Sequence, residues 1–192
     1  MGDKILYFDC ETTGFDPRRN DIVQLAFIIE INGEVAEEHS FHIQPFNYST
    51  IKASALECNN LTVEQIRTFE EPRTVYEKVK NIWEKYVTRI SVDDKFYPAG
   101  YGIDFDIRFI NHWFKKNNDH GIGSFLSEKK IDPLPIMRML SRRGGIRVKN
   151  HQLATICNHY KIPLEKEHDA LSDIRATRQL IHKVLRKKAD TR

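Results

Sequence analysis

The chain has 192 residues, with 30 Lys and Arg against 27 Asp and Glu, for a formal net charge of +3. Hydrophobic residues make up 40% and charged residues of both signs 30%, which excludes a disordered chain and is enough for one buried core. One domain over residues 1–192 is expected, ending in a basic tail at 186–192, and a net charge this small does not by itself point to nucleic acid.

Cys10, Cys58 and Cys157 are far apart, odd in number and lack a C-x-x-C pairing, so they read as reduced thiols of an intracellular protein. The start, MGDKILYFDCETTG, is acidic without a long apolar run, unlike a secretory signal. No stretch approaches the roughly 18 apolar residues of a membrane span. A cytoplasmic location without membrane association is expected.

Lys4 to Cys10 is a short apolar run that reads as a buried strand, ended by Thr12-Thr13-Gly14. Asp16-Pro17 and Asn20-Asp21 mark a loop. Ile22 to Ile31 is a second strand, and Asn32-Gly33 turns it into a third at Glu34 to Ile43. Three strands with tight links predict an antiparallel meander. Thr62 then caps a short helix, with Gln65 completing a capping box. After Pro72, the positions Val75, Val79, Ile82, Trp83 and Tyr86 follow a helical stripe to about Thr88. Phe96 to Tyr101 is a short strand, Asp104 to Lys116 a helix and Asn117 to Gly123 a polar loop. Ile131 opens a short strand that leads past Pro133 and Pro135 into a helix near Met137. Ser141 to Lys149 is a Gly- and Arg-rich loop, and the helices Gln152 to Tyr160 and Asp169 to about Lys188 close the chain.

Side chains alternate along a strand, so Asp9 and Glu11 point to the same side as Ile5 and Tyr7. Two carboxylates so placed repel one another, and partial burial sharpens the conflict unless a cation lies between them. Two solvated acids at a strand end would give the same pattern. On the helix from Asp104, at about 100° per residue, Asp106 shares the apolar face of Phe109, Ile110 and Trp113, while Asp104 reads as an N-cap. In His168-Asp169-Ala170-Leu171-Ser172-Asp173, Asp169 is the natural N-cap. Asp173 lies at the edge of the stripe through Ala170, Ile174, Leu180, Ile181 and Val184. His168 is either an ordinary surface histidine or a partner of Asp173. Four inward-leaning carboxylates on three segments are too many for a stable core unless they hold metal. Hard divalent ions such as Mg²⁺ and Mn²⁺ take such oxygen ligands. Two ions about 4 Å apart suit phosphodiester hydrolysis, and an imidazole titrates in the range useful for a general base. The residues reach a two-metal phosphoryl hydrolase, without polarity or substrate.

Three segments carry a resemblance to a known family. YFDCETTG, residues 7 to 14, is similar to the D-x-E-T-T-G signature of the DEDDh 3′→5′ exonucleases, the DnaQ-like group that includes polymerase proofreading subunits, RNase T and oligoribonuclease. YGIDFDIRFI, residues 101 to 110, resembles the second motif, and HDALSD, residues 168 to 173, matches the His-x4-Asp spacing of the third. The resemblance spans nearly the whole chain. It implies an α/β, ribonuclease H-like mixed sheet, the antiparallel meander followed by parallel strands, flanked by helices. It implies that Asp9, Glu11, Asp106 and Asp173 bind two Mg²⁺ or Mn²⁺ ions and that His168 is the general base. Thr12, Thr13 and Gly14 would hold the terminal nucleotide, and Phe15 and Phe105 either pack on its base or sugar or belong to the core. Two departures stand out. Gly102 occupies a position that is often Asn in the family, and Asn59-Asn60-Leu61-Thr62 replaces a common His-Gly-Ile-Thr.

The activity so implied is removal of nucleoside 5′-monophosphates from the 3′ end of single-stranded DNA or RNA, DNA being slightly favoured. A proofreading subunit working with a polymerase and a non-catalytic nucleic-acid binder are the alternatives. A free-standing exonuclease is expected ahead of the proofreading subunit, because the sequence offers no long segment after the domain for tethering, and the full acid and histidine set speaks against the binder. Arg138, Arg142, Arg143, Arg147 and Lys149 around Gly144-Gly145 either track phosphates of the incoming strand or form a solvated loop. The sequence leaves a homodimer open.

Overall fold

A computed structural model of the chain describes the backbone over residues 3–189 and side chains as far as residue 184. The basic tail expected at 186–192 therefore lies outside the described side chains, and its last three residues lie outside the described backbone. Strands β1 (Lys4–Thr12), β2 (Ile22–Ile31) and β3 (Glu34–His42) form the expected meander, and β4 (Tyr97–Ala99) joins the far side of β1 in parallel. The sheet order is β3-β2-β1-β4. This is the mixed, ribonuclease H-like sheet expected, with one difference. The strands foreseen at Phe96–Tyr101 and Ile131 shrink to β4 and to single bridges, Phe96 to Leu126 and Ala99 to Ile131. Pro98 within the first and Pro133 just after the second each lack a backbone donor, which limits how far a ladder can run.

Helices α1 (Ala53–Asn59) and α2 (Val63–Ile66) follow the meander, then α3 (Pro72–Glu84), α4 (Asp104–Lys116), α5 (Pro133–Arg142), α6 (Leu153–Tyr160) and α7 (Ala170–Ala189). The capping box of Thr62 and Gln65 is present. Helix α1 has no sequence counterpart above, because it is short and no side chain caps its start. Helix α3 stops at Glu84 rather than near Thr88, whose amide instead donates to Asp94 Oδ2 at 2.9 Å. The expected N-cap role of Asp104 is also corrected. Ile103 precedes α4 without a capping side chain, and Asp104 is exposed and pairs with Lys130.

Alternation on β1 sorts the two cores. Leu6, Phe8 and Cys10 face α3 and α4, packing with Val75, Val79, Trp83, Phe109 and Phe114. Trp83 is fully buried, and the rings of Phe27, Phe96, Phe114 and Phe125 lie 5.5–6.4 Å from its own, pairs that each contribute about 1 kcal/mol beyond area burial. Tyr7 on the other face packs with Ala26, Ile28, Ala170 and Ile174 beneath α7. A polar clamp reinforces this second face. Glu30, 2% exposed, accepts from Arg178 Nε at 2.6 Å and lies 2.8 Å from His182 Nε2, both on α7, and Tyr7 donates to it at 3.4 Å. Arg178→Met should cost about 2 kcal/mol, the scale of a hydrogen bond to a buried charge, read as a lower urea midpoint. An unchanged midpoint would mean that His182 and Tyr7 satisfy Glu30 alone.

Candidate active site

Strand β1 runs two residues past its expected end, so Asp9 and Glu11 both lie within it, on the face of Ile5 and Tyr7. Across the ladder Asp9 opposes Ala26 and Glu11 opposes Gln24. Asp106, in the first turn of α4, is 4% exposed, and its Oδ1 accepts from the Cys10 amide at 3.0 Å. That bond pins the start of α4 to β1 between the two strand acids.

Asp173 arrives from the first turn of α7. Asp169 caps this helix as expected, accepting from the Ser172 amide at 3.1 Å. Both helical acids thus sit at helix N-termini, where the backbone dipole favours negative charge. His168, just ahead of the cap, is exposed and adopts φ +58°, the left-handed conformation in which His is enriched over most residues. Ligand atoms of Glu11, His168 and Asp173 all lie within 4.8 Å of one another. The histidine is brought to the acids, in keeping with the partner reading.

Burial, reinforced by Asp106, Glu11 and Asp173, holds Asp9 well above the usual carboxylate range. Burial raises Glu11 to about 7, with Asp173 and Asp169 adding to it. Asp106 is pushed up to about 8 by burial, against the pull of the Cys10 amide. Burial and the charges of Asp169 and Glu167 raise Asp173 to about 7. Asp173 Oδ1 is also buried without a hydrogen-bond partner. Carboxylates that repel, an orphaned oxygen and an adjacent imidazole form a donor set that fits hard divalent cations.

The Thr-Thr-Gly turn is knit into the chain. Thr12 Oγ1 donates to the Gly14 carbonyl at 2.7 Å, and Thr13, fully buried, accepts from the Asp21 amide at 2.9 Å. Each hydroxyl thus makes one bond within the chain, which fixes the shape of the turn. A Cβ at Gly14 would come 2.5 Å from Asn20 Oδ1, so the close approach that requires glycine is to Asn20. Phe15 is 78% exposed and edge-on to Phe105, with ring centroids 6.5 Å apart, and Phe105 leans on buried Phe109 at 4.7 Å. Gly102 has φ +75° and its amide donates to Asp132 Oδ1 at 3.0 Å. The left-handed region admits Gly most readily and Asn next, which accounts for this departure. Asn60 likewise has φ +55° where the family often has Gly, and Asn59 Nδ2 donates to the Thr12 carbonyl at 3.1 Å.

One site-building residue escaped the sequence reading. Gln24, 6% exposed, donates to Asp169 Oδ2 at 3.3 Å and accepts from the Ala170 amide at 3.4 Å. It ties β2 to the segment that presents His168 and Asp173. The available signal was a lone amide in the apolar run Ile22 to Ile29, since a polar group buried in a central strand needs partners.

The model of the RNase T exonuclease family, described as "Exonuclease", matches residues 6–181. The chain belongs to this exonuclease family. The DEDDh resemblance carried by its motifs is thereby borne out. A PolC-type DNA polymerase III from Ureaplasma parvum is 30% identical over 161 residues, covering 83% of this chain and 10% of that protein. The counterpart from Latilactobacillus sakei is 27% identical over 183 residues, covering 95% of this chain and 11% of that protein. Among solved structures, E. coli exonuclease I with a dT13 oligonucleotide superposes with a TM-score of 0.76 at 21% identity, over 95% of this chain and 41% of that one. A zinc-bound exonuclease I complex with single-stranded DNA gives 0.79 at 20% identity, over 100% and 42%. This exonuclease-family chain therefore shares the fold of exonuclease I and spans about a tenth of the curated polymerases it matches. Among the described residues no helix is long and apolar enough to cross a membrane.

The raised acids carry a linkage consequence. Unfolded Asp and Glu titrate near 4, and Glu11, Asp106 and Asp173 are raised to about 7, 8 and 7 in the fold. The folded chain then binds more protons than the unfolded one between about pH 4 and 8, so these groups lower stability as pH rises through that window. In EDTA the melting temperature should fall between pH 5.5 and 8. Saturating Mn²⁺ should raise it most at pH 8. A melting temperature insensitive to Mn²⁺ at every pH would remove the cation from this cluster.

Proposed function

We propose that this chain hydrolyses phosphodiester bonds one at a time from the 3′ end of single-stranded nucleic acid, DNA in preference to RNA, releasing nucleoside 5′-monophosphates. The observation that carries the reading is the convergence of Glu11, His168 and Asp173 within 4.8 Å, beside the strongly perturbed Asp9 and Asp106. Asp9, Glu11, Asp106 and Asp173 would hold two Mg²⁺ or Mn²⁺ ions, whose charge would favour the attacking water and the leaving oxygen. His168 reaches out of its loop to take the proton from that water. Asp106 holds its place through the Cys10 amide. The turn at Thr12, Thr13 and Gly14 shapes one wall of the terminal-nucleotide site. Phe15 and Phe105 offer the base or sugar an apolar surface beside it.

The polymerases and the exonuclease I complexes among the similar proteins support DNA as the substrate class. The PolC likeness also favours a second reading, in which the chain proofreads alongside a polymerase, since the similarity covers 95% of this chain in one such protein.

Digestion of 5′-labelled single-stranded DNA and RNA oligomers of one sequence, with Mg²⁺, Mn²⁺ or EDTA, tests the proposal. A metal-dependent ladder shortening from the 3′ end is expected, faster on DNA. Products released from the 5′ end, or no cleavage in any metal, would refute it.

Asp106→Asn should abolish cleavage while the far-ultraviolet spectrum stays that of the parent. His168→Ala should slow turnover by roughly 10² to 10⁴, the usual worth of a general base, with the Mn²⁺-induced thermal shift kept. An undiminished rate in His168→Ala would place the base elsewhere.

A further inference from the structure

The acids sit beside a hollow of about 220 Å³ lined by Tyr101, Gln152, Ala154, Glu167, His168 and Asp173. Next to it lies a larger one of about 520 Å³, within the size range of ligand sites. Its lining includes Arg147, Lys149, Thr155, Asn158, His159 and Glu167. The two share Ala154 and Glu167, so they lie side by side as a trough of two hollows leading away from His168. The far end is basic where the near end is acidic. Arg147 and Lys149 are exposed, and neither has a carboxylate within ion-pairing distance among the ion pairs of the described residues.

The first turn of α6 forms the trough's floor through Ala154 and Thr155. No side chain caps α6. Its leading amides add partial positive charge to that of Arg147 and Lys149. Two cations, neutral donors from Thr155 and Asn158, and an open helix start make a surface that reads phosphate rather than base. The single acid in that lining, Glu167, lies at the junction with the catalytic hollow.

We propose that the trough floored by the start of α6 binds the phosphates of the nucleotides on the 5′ side of the scissile bond, with Arg147 and Lys149 each neutralising one. This rests on the exonuclease reading and extends it. The terminal nucleotide is held at the acids and the following backbone is held independently of sequence. The site thereby takes oligonucleotides in preference to mononucleotide esters.

The test compares wild type with the double variant Arg147→Ala/Lys149→Ala, and with Lys78→Ala on α3 across the sheet as a control. Binding of 5′-labelled dT8 in EDTA is followed by anisotropy at several salt concentrations. Cleavage of dT8 and of the p-nitrophenyl ester of thymidine 5′-monophosphate is followed in Mn²⁺. The double variant should bind dT8 about tenfold more weakly at 0.1 M salt. Its log–log salt slope should be smaller by about 1.4, from about 0.7 per lost phosphate contact on a single strand. Its turnover of the ester should match wild type, and Lys78→Ala should match wild type throughout. Wild-type affinity and salt slope in the double variant would overturn the phosphate track while leaving the exonuclease reading intact. Binding of dT8 that is lost in the double variant, without cleavage by wild type in any metal, would uphold the track and overturn the exonuclease reading.

Discussion

Asp9 and Glu11 stand two residues apart on one face of one strand, and everything around them either tolerates or answers their repulsion. A strand buried on both sides is a poor place for charge, since water that would screen it has been replaced by side chains. The fold brings two further acids to the same place instead of dispersing them. Each of these comes at the start of a helix, where unpaired amides lower the cost of the charge. Burial and mutual repulsion still keep all four above their ordinary range. A cation bound there would relieve this repulsion, and the cluster is placed where β1, α4 and α7 meet.

The surrounding contacts fix those three elements relative to one another with short, directional bonds. The Cys10 amide fixes α4 through Asp106. Gln24 fixes the segment before α7 through Asp169 and Ala170. Farther along α7, Arg178 and His182 grip Glu30 on β2. Helix α7 is thus tethered to the central strand at both ends of its buried stretch, with Ala170, Ile174 and Ile181 packed between. The acids inherit their spacing from these tethers, because a carboxylate cluster left to its own forces would spread apart.

Much of this was legible because strand and helix periodicities are strict. Alternation alone placed Asp9 and Glu11 with Ile5 and Tyr7, and the helical repeat alone turned Asp106 inward. The meander and the long last helix followed from the same periodicities. What escaped depends on partners far apart in sequence. Gln24 and Asp169 are 145 residues apart, and no local pattern relates them. The N-cap expected of Asp104 failed because a good capping residue is only a candidate. The chain enters α4 from the left-handed Gly102 turn, one residue earlier than that role requires. The internal bonds of the first motif's threonines, Thr12 to the Gly14 carbonyl and Thr13 from the Asp21 amide, also depend on the folded turn and are not written in the motif.

Charge also orders the chain on a longer scale than any single bond. A phosphodiester is an anion, and a cluster of carboxylates repels it, so the acids that suit cation binding obstruct the approach of a nucleic acid. Bound cations would reverse the sign locally, but they would act within a few ångströms of a scissile phosphate, and screening would limit their reach along a strand. The remaining phosphates need attraction of their own. In this chain the basic residues of the segment between α5 and α6 lie beside the acids without mixing among them, and Glu167 marks the boundary. A modest net charge of +3 conceals this separation entirely. The placement of charge along the trough, more than its total, determines how a polyanion could be drawn to a centre built from acids.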